Sequence, residues 1–379
     1  MLKFVYLVAL ALSLTACGGG GDAAPTPSPA PSPPTAAQVW AEVDAAVEAA
    51  QTGFVNGLTV EVLKPAGVVY SKSVGGFSNT TTVAVASASK WVTATVLLRL
   101  TEQGLLSLDT PTAALLTDRQ GRPWSGPLGQ ARLRDLLSFT SGIVAEVPLS
   151  ELPDITLEEA VLQIYSASAV SAVRPGTRFF YSSTHMRIAA RMAEVATGKP
   201  WNEIFAEQLQ QPLGWNSTSR YGPPGSQNPD PAGSLGCNGI EYVRFLMLQL
   251  REGQYGSTRL LQASTIAVQR QDAFTSATVI AFSPYVQSAG RAYHYGLGNW
   301  LETAAGTGPT PASPVTRWSS TGALGWAPWV AADGSYAAVI MTRQPTVGSS
   351  GPSEILKGQL DPLIRSALTQ NPPVIRSVP

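Results

Sequence analysis

Residues 86–108 read ASASKWVTATVLLRLTEQGLLSL, a small polar start followed by an apolar run that ends at Gly104. Val92, Val96, Leu97 and Leu100 recur at helical spacing, and glycine is a natural stop, so a helix is expected from about Ser87 to Gln103. Ser87 and Lys90 then lie one turn apart on one face. Upstream, Val39, Val43, Val47 and Ala50 predict a helix over Ala36 to Ala50. Leu58, Val60 and Val62 alternate with Thr59 and Glu61, and Pro65-Ala66-Gly67 turns this strand into Val68-Val69-Tyr70 as a hairpin.

Downstream the strand signal fades. Ala131 to Leu137, Leu157 to Tyr165, Thr184 to Ala196, Trp201 to Leu209 and Gly239 to Leu250 read as helices. After Gln287 the period returns to two. Tyr295 to Leu301, Val315 to Ser319, Trp326 to Ala331 and Ser335 to Thr342 are strand candidates, the last two joined by Asp333-Gly334. An amphipathic helix from about Ser353 to Leu368 follows. Helix first and antiparallel strands next argue against a doubly wound parallel sheet. The expected class is α+β, an antiparallel sheet flanked by helices. Residues 36–104 and 281–379 form its two halves, and 105–280 form an inserted, mostly helical domain.

A serine hydroxyl is a weak nucleophile until a base removes its proton, and a lysine one helical turn away can be that base in its neutral form. The N-terminus of a helix adds positive dipole and free amides. Alone, Ser87-x-x-Lys90 is weak, since a cap serine before a solvated lysine has the same spelling. Two further segments strengthen it. Pro175-Gly176-Thr177-Arg178-Phe179-Phe180-Tyr181-Ser182-Ser183 leads a tyrosine to the lip of a helix, where a phenol near a lysine can relay a proton. Trp318-Ser319-Ser320-Thr321-Gly322-Ala323-Leu324-Gly325-Trp326 is small and polar between apolar strands. Such an edge lets substrate lie close, with the amides of Ala323 and Ser87 facing an oxyanion.

With these segments the chain resembles the family of serine beta-lactamases, D-alanyl-D-alanine carboxypeptidases and related esterases, most of all its class C and esterase branch. Residues 86–108 resemble the nucleophile helix of that family. Leu136-Leu137-Ser138-Phe139-Thr140-Ser141-Gly142-Ile143, the segment from Gly198 through Pro212-Leu213-Gly214, and Tyr295-Gly296-Leu297-Gly298 are similar to its other signatures. The resemblance implies a beta-lactamase/transpeptidase-like fold. It also implies that Ser87 is acylated, that Lys90 and Tyr181 share the proton as a coupled pair, and that Ser87 and Ala323 supply the oxyanion amides beside Thr321 and Gly322. No metal or organic cofactor is implied.

Two departures bear on substrate. Ser183 stands where the family's second motif ends in asparagine, and Ser320 where its third begins with lysine or histidine. A cation there helps hold a substrate carboxylate, so its absence favours a neutral ester or amide, small or in a short polymer, over a beta-lactam or a D-alanyl-D-alanine peptide. A catalytically silent envelope protein with the same fold is the other alternative. His185 can line the mouth of the site or lie at the surface or inside a helix, and Trp300, Trp318, Trp326 and Trp329 fit an apolar acyl or aromatic pocket, with Trp318 as the substrate contact, although alternation within strands turns some of them to the core.

The 379 residues carry 25 basic and 25 acidic side chains, a balance that gives no long-range field for nucleic acid. Lys3, the apolar Phe4 to Leu14 and Leu14-Thr15-Ala16-Cys17 read as a leader over 1–17 resembling a lipoprotein signal, with Cys17 lipidated. Residues 18–35, rich in glycine and then proline, read as a tether. The expected location is the bacterial cell envelope, lipid-anchored, with Gly18 favouring the outer membrane by the family's sorting rule. Cys237 is then without a disulfide partner.

Overall fold

A computed structural model describes residues 35–379 apart from 153. The expected leader, Cys17 and nearly all of the tether lie outside the described residues. The first helix, α1 (Ala36–Ala50), opens on a capping box in which Thr35 and Gln38 satisfy each other's backbone amides. Its stripe of Val39, Val43 and Val47 is buried. Strands β1 (Leu58–Lys64) and β2 (Gly67–Val74) form the expected hairpin. The segment from Ser87 continues as α2 (Ser89–Glu102). The central part of the chain includes α3 (Thr184–Thr197) and α4 (Gly239–Leu250). Strands β3 (His294–Tyr295), β4 (Trp300–Thr303), β5 (Val315–Ser319), β6 (Ala327–Ala331) and β7 (Ala337–Met341) precede the terminal helix α5 (Gly351–Thr369).

These strands make one seven-stranded sheet in the order β3-β4-β5-β6-β7-β1-β2, and every neighbouring pair is antiparallel. β1 lies between β7 and β2, with Thr59 opposite both Met341 and Ser73. One face of the sheet is covered by α1 and α5, where Val43, Val47, Leu360 and Ile364 pack on Val60, Val62, Trp329 and Ile340. The other face, with Val330, Val339 and Met341, joins α2, α4 and the central region in a larger core. Among the described residues no helix is long and apolar enough to cross a membrane.

Four local expectations differ from what is observed. β1 does not alternate between buried and exposed, because both sheet faces are covered; Glu61 is buried and held by Asn79 and Arg376 at 2.7 and 2.6 Å. α2 is buried on nearly every side, as a helix through the middle of a core must be. The strand expected over Tyr295 to Leu301 is broken at Gly296–Asn299, where Gly298 (φ +84°) lets the turn approach the Lys90 carbonyl; a Cβ there would sit 2.7 Å from that oxygen. The central region also contains short strands, including Arg178–Phe180 paired in parallel with Val279–Phe282, and Trp201 to Gln210 passes from α-helix into a π-helical turn.

Candidate active site

Ser87 sits on a corner. A one-turn 3-10 helix, Ala86–Ala88, precedes α2, so the regular α-helix starts two residues later than expected. Ala86 adopts φ +49°, a left-handed conformation that costs a non-glycine residue about 1–2 kcal/mol. Neighbouring chain holds it there. Val85 N–H donates to Leu235 O at 2.9 Å, Ser89 Oγ donates to Ala86 O at 2.6 Å, and Ser89 Oγ accepts from Leu235 N–H at 3.2 Å. The corner leaves the Ser87 amide in a first turn, where backbone donors have no acceptor one turn back.

Lys90 is buried, and its Nζ donates to Ser87 Oγ at 2.9 Å and to Ala232 O at 3.0 Å. The same Nζ lies 4.7 Å from the centroid of the Tyr181 ring. The structure therefore brings Ser87, Lys90 and Tyr181 together from three separate segments. Tyr181 is half-buried, its ring stacked on Trp300 (centroids 5.1 Å apart, 25° between planes) and met edge-on by Phe139 at 5.0 Å. Phe139, at φ +58°, accepts a backbone hydrogen bond from Phe180 at 3.0 Å, which ties the Tyr181 segment to a second strained corner.

The third segment closes the site from the sheet side. The Ser320 hydroxyl donates to Ser87 O at 3.1 Å, and Ser320 is buried. It braces the Ser87 turn. Thr321 and Ala323 are half-buried. Among the described residues the Ala323 N–H has no hydrogen-bond acceptor, so it is a donor available to an oxyanion. Gly322 lies against the Ser87 turn: a Cβ would come within 2.1 Å of Val85 O. Gly322→Ala must push this edge away from Ser87, and an overpacking cost of about 1–3 kcal/mol is expected together with slowed reaction at Ser87. Thermal unfolding and the rate of labelling by an active-serine probe check both, and unchanged values in both would refute the contact.

The other candidates scatter. Ser183 is half-buried, and its amide donates to Glu146 Oε1 at 3.0 Å while Thr184 Oγ1 donates to Glu146 Oε2 at 2.9 Å. Glu146 thus steadies the start of α3, a function no spacing revealed. His185 does not line a mouth: it is fully buried, with Nδ1 2.9 Å from Ser141 Oγ. Burial pushes its imidazole down to about 3, against the opposing backbone hydrogen bond at Phe180, and keeps it neutral. The four tryptophans divide between the cores and the site, as strand alternation requires. Trp326 belongs to the larger core against Tyr242, and Trp329 packs on the opposite side of the sheet with Nε1 donating to Tyr336 OH at 3.0 Å. Trp300 backs Tyr181, and Trp318 is covered by the Arg270 guanidinium 4.3 Å from its ring centroid.

Behind the third segment lies an ion cluster that periodicity did not disclose. Glu302 on β4 is buried and contacts Lys357 Nζ, Arg317 and Ser319 Oγ. Burial by itself would raise the Glu302 carboxyl, but the cations of Lys357 and Arg317 outweigh it and hold the group down at about 2. Lys357 responds in the matching sense: burial opposes its charge, and Glu302 and Glu354 more than offset that and raise it. Cys237 is buried with its thiol raised by desolvation, which makes it an inert core residue. Among the described residues no group of three His, Cys, Asp or Glu side chains is arranged to hold a metal.

Known proteins share this architecture. A protein of Bacteroides dorei DSM 17855, solved as a candidate beta-lactamase, superposes with a TM-score of 0.73 at 29% identity, covering 86% of this chain and 99% of that one. The hydrolase EstCE1, with promiscuous acyltransferase activity, superposes at TM-score 0.64 over 87% of this chain and 98% of its own; at 18% identity the likeness is one of fold. In sequence, Penicillin-binding protein 4 of Amycolatopsis lactamdurans is 28% identical over 220 residues, 49% of this chain and 55% of that protein. The Esterase/beta-lactamase LipL of Mycobacterium tuberculosis is 31% identical over 135 residues, 34% of this chain and 29% of that protein. The matched stretch thus spans about half the length of the first relative and under a third of the second. The sequence profile of the Beta-lactamase family matches residues 43–356. Sheet, helices and profile agree, and the chain belongs to the Beta-lactamase family.

Proposed function

We propose that the protein hydrolyses a carboxylic ester or amide that carries no free carboxylate, through an acyl-enzyme on Ser87. The observation that carries this reading is the 2.9 Å contact between Lys90 Nζ and Ser87 Oγ at the corner of a buried helix. As a neutral amine, Lys90 has one hydrogen for Ala232 O and a lone pair to turn toward Ser87. It takes the Ser87 proton as Oγ bonds to the substrate carbonyl carbon. The resulting oxyanion meets the amides of Ser87 and Ala323. The proton then passes, through Lys90 or the Tyr181 hydroxyl, to the leaving oxygen or nitrogen as that bond to carbon breaks. Water repeats the sequence on the acyl-enzyme, giving up a proton to the same pair and releasing the acid.

The ester or amide preference rests on polarity. The Ser320 hydroxyl is engaged with Ser87 O, and the nearby Lys357 is enclosed between two carboxylates, so neither is presented to a substrate carboxylate. Short p-nitrophenyl esters and nitrocefin, assayed side by side with mass spectrometry after a fluorophosphonate, test the reading. Turnover of the esters with label on Ser87 is expected. Turnover of nitrocefin or a D-alanyl-D-alanine peptide alone would overturn the substrate class, and folded protein without label would overturn the serine mechanism.

A further inference from the structure

Three donors converge on one carboxylate oxygen beside the third segment. Thr321 Oγ1, Tyr285 OH at 2.9 Å and Lys357 Nζ at 3.0 Å all donate to Oε1 of Glu354, in the first turn of α5. An ionised carboxylate only accepts, and a hydroxyl has a single hydrogen. With that hydrogen directed at Glu354, Thr321 has only lone pairs to offer a molecule lying along the end of β5. Oε2 of Glu354 is itself enclosed and has no hydrogen-bond partner among the described residues. The neighbouring donors are committed elsewhere. Lys357 bridges Glu302 and Glu354, Arg317 lies against Glu302 and Asp361, and Ser320 donates to Ser87 O.

We propose that Glu354 sets the polarity of the Thr321 subsite so that it accepts hydrogen bonds, and that the enzyme selects esters or amides bringing a donor there, above all a protonated amine. This rests on the serine-hydrolase reading above. A carboxylate placed at Thr321 meets lone pairs, and to bind it Thr321 must turn its hydrogen away from Glu354, leaving an enclosed acceptor with one donor fewer. An ammonium gains a charge-assisted hydrogen bond without disturbing the three existing contacts. Tyr285 meets Trp300 edge-on at 4.9 Å, and Trp300 is the ring stacked on Tyr181, so the subsite adjoins the reacting groups. Glu354 acts through Thr321 and is a positioning residue.

The test uses three p-nitrophenyl esters of equal acyl length: butyrate, 4-aminobutyrate and hemisuccinate. Wild-type protein is expected to prefer the ammonium ester over the carboxylate ester by about tenfold or more in kcat/KM, the effect of one hydrogen bond to a charged group. In Glu354→Met, which removes the acceptor at similar length and frees the Thr321 hydrogen, the ratio between the two charged esters should collapse toward unity. Thr321→Val, which removes the hydroxyl and keeps the shape, should collapse it as well and serves if the first variant does not fold. Because the readout is a ratio within each variant, a general loss of stability leaves it unmoved. A ratio unchanged in either folded variant, or a wild-type preference for the carboxylate ester, would overturn the proposal while leaving the serine mechanism intact. Failure of all three esters to acylate Ser87 would overturn the mechanism, and the subsite with it.

Discussion

Ser87→Ala is expected to lower kcat/KM at least about 10,000-fold on any ester or amide the protein turns over, because removing the nucleophile of a concerted set leaves only binding and the oxyanion amides. Fold and stability should survive. The Ser87 side chain makes its hydrogen bond to Lys90, while the corner is held by Ser89 Oγ, the Leu235 backbone and the Ser320 hydroxyl, none of which the change touches. Steady-state kinetics beside a thermal melt separate the two effects. A variant that melts with wild type and retains more than about a hundredth of the activity would mean that the attack occurs elsewhere, since general acid-base assistance alone contributes that much.

The largest effect on stability is expected from Lys357→Met. Methionine fills similar volume, but it leaves Glu302 enclosed with Arg317 as its remaining cation and Glu354 without its ammonium partner. Removing one member of a buried pair costs about 3–5 kcal/mol, mostly because the partner charge is stranded. Urea unfolding at neutral pH should show a loss near the lower end of that range. The pH dependence has a defined sign. Glu302 is held at about 2 against an ordinary 4.5, so its contribution is present above 4.5 and lost as pH falls toward 2. Without Lys357 the folded-state value rises, and acid unfolding should begin at higher pH. Adding Glu302→Gln to Lys357→Met should recover much of the loss. A single variant as stable as wild type, or a double variant no better than the single, would show that the cluster is not held together as a charge pair.

The parts of this protein that were legible in its sequence are those whose cause is local. α1 occupies the range that apolar spacing predicts, because a helix buried on one stripe writes that stripe into the sequence, and α4 occupies its expected range although it is buried on nearly every side. The β1–β2 hairpin and the Asp333-Gly334 turn carry their turn chemistry in plain residues. Ser87 and Lys90 are close for the same reason, three residues on one helical face.

What remained hidden depends on partners far along the chain or on backbone atoms. Alanine carries no mark of a positive φ, so nothing in the sequence announced the corner at Ala86 just before the expected helix. The Ala232 carbonyl that receives Lys90 has no side-chain signature at all. Glu302 and Lys357 each look like surface charges in isolation; only the stacking of α5 on the sheet makes them a pair. Tryptophans in alternating strands declare burial but not which face they occupy. The expected aromatic pocket was therefore distributed between two cores and the back of Tyr181.

The pairing of Thr59 with Met341 dictates when the molecule can become itself. Strand β1 is an inner strand that must wait, with only its hairpin neighbour for company, until β7 has been synthesised. Closing so long a loop carries an entropic penalty before any ladder bond rewards it, so the sheet is a late event and its assembly a slow one. Until then the helices over Ser87 have no floor to rest on. A polypeptide still lacking β7 holds the Ser87 hydroxyl in a turn that is not yet set against a finished sheet.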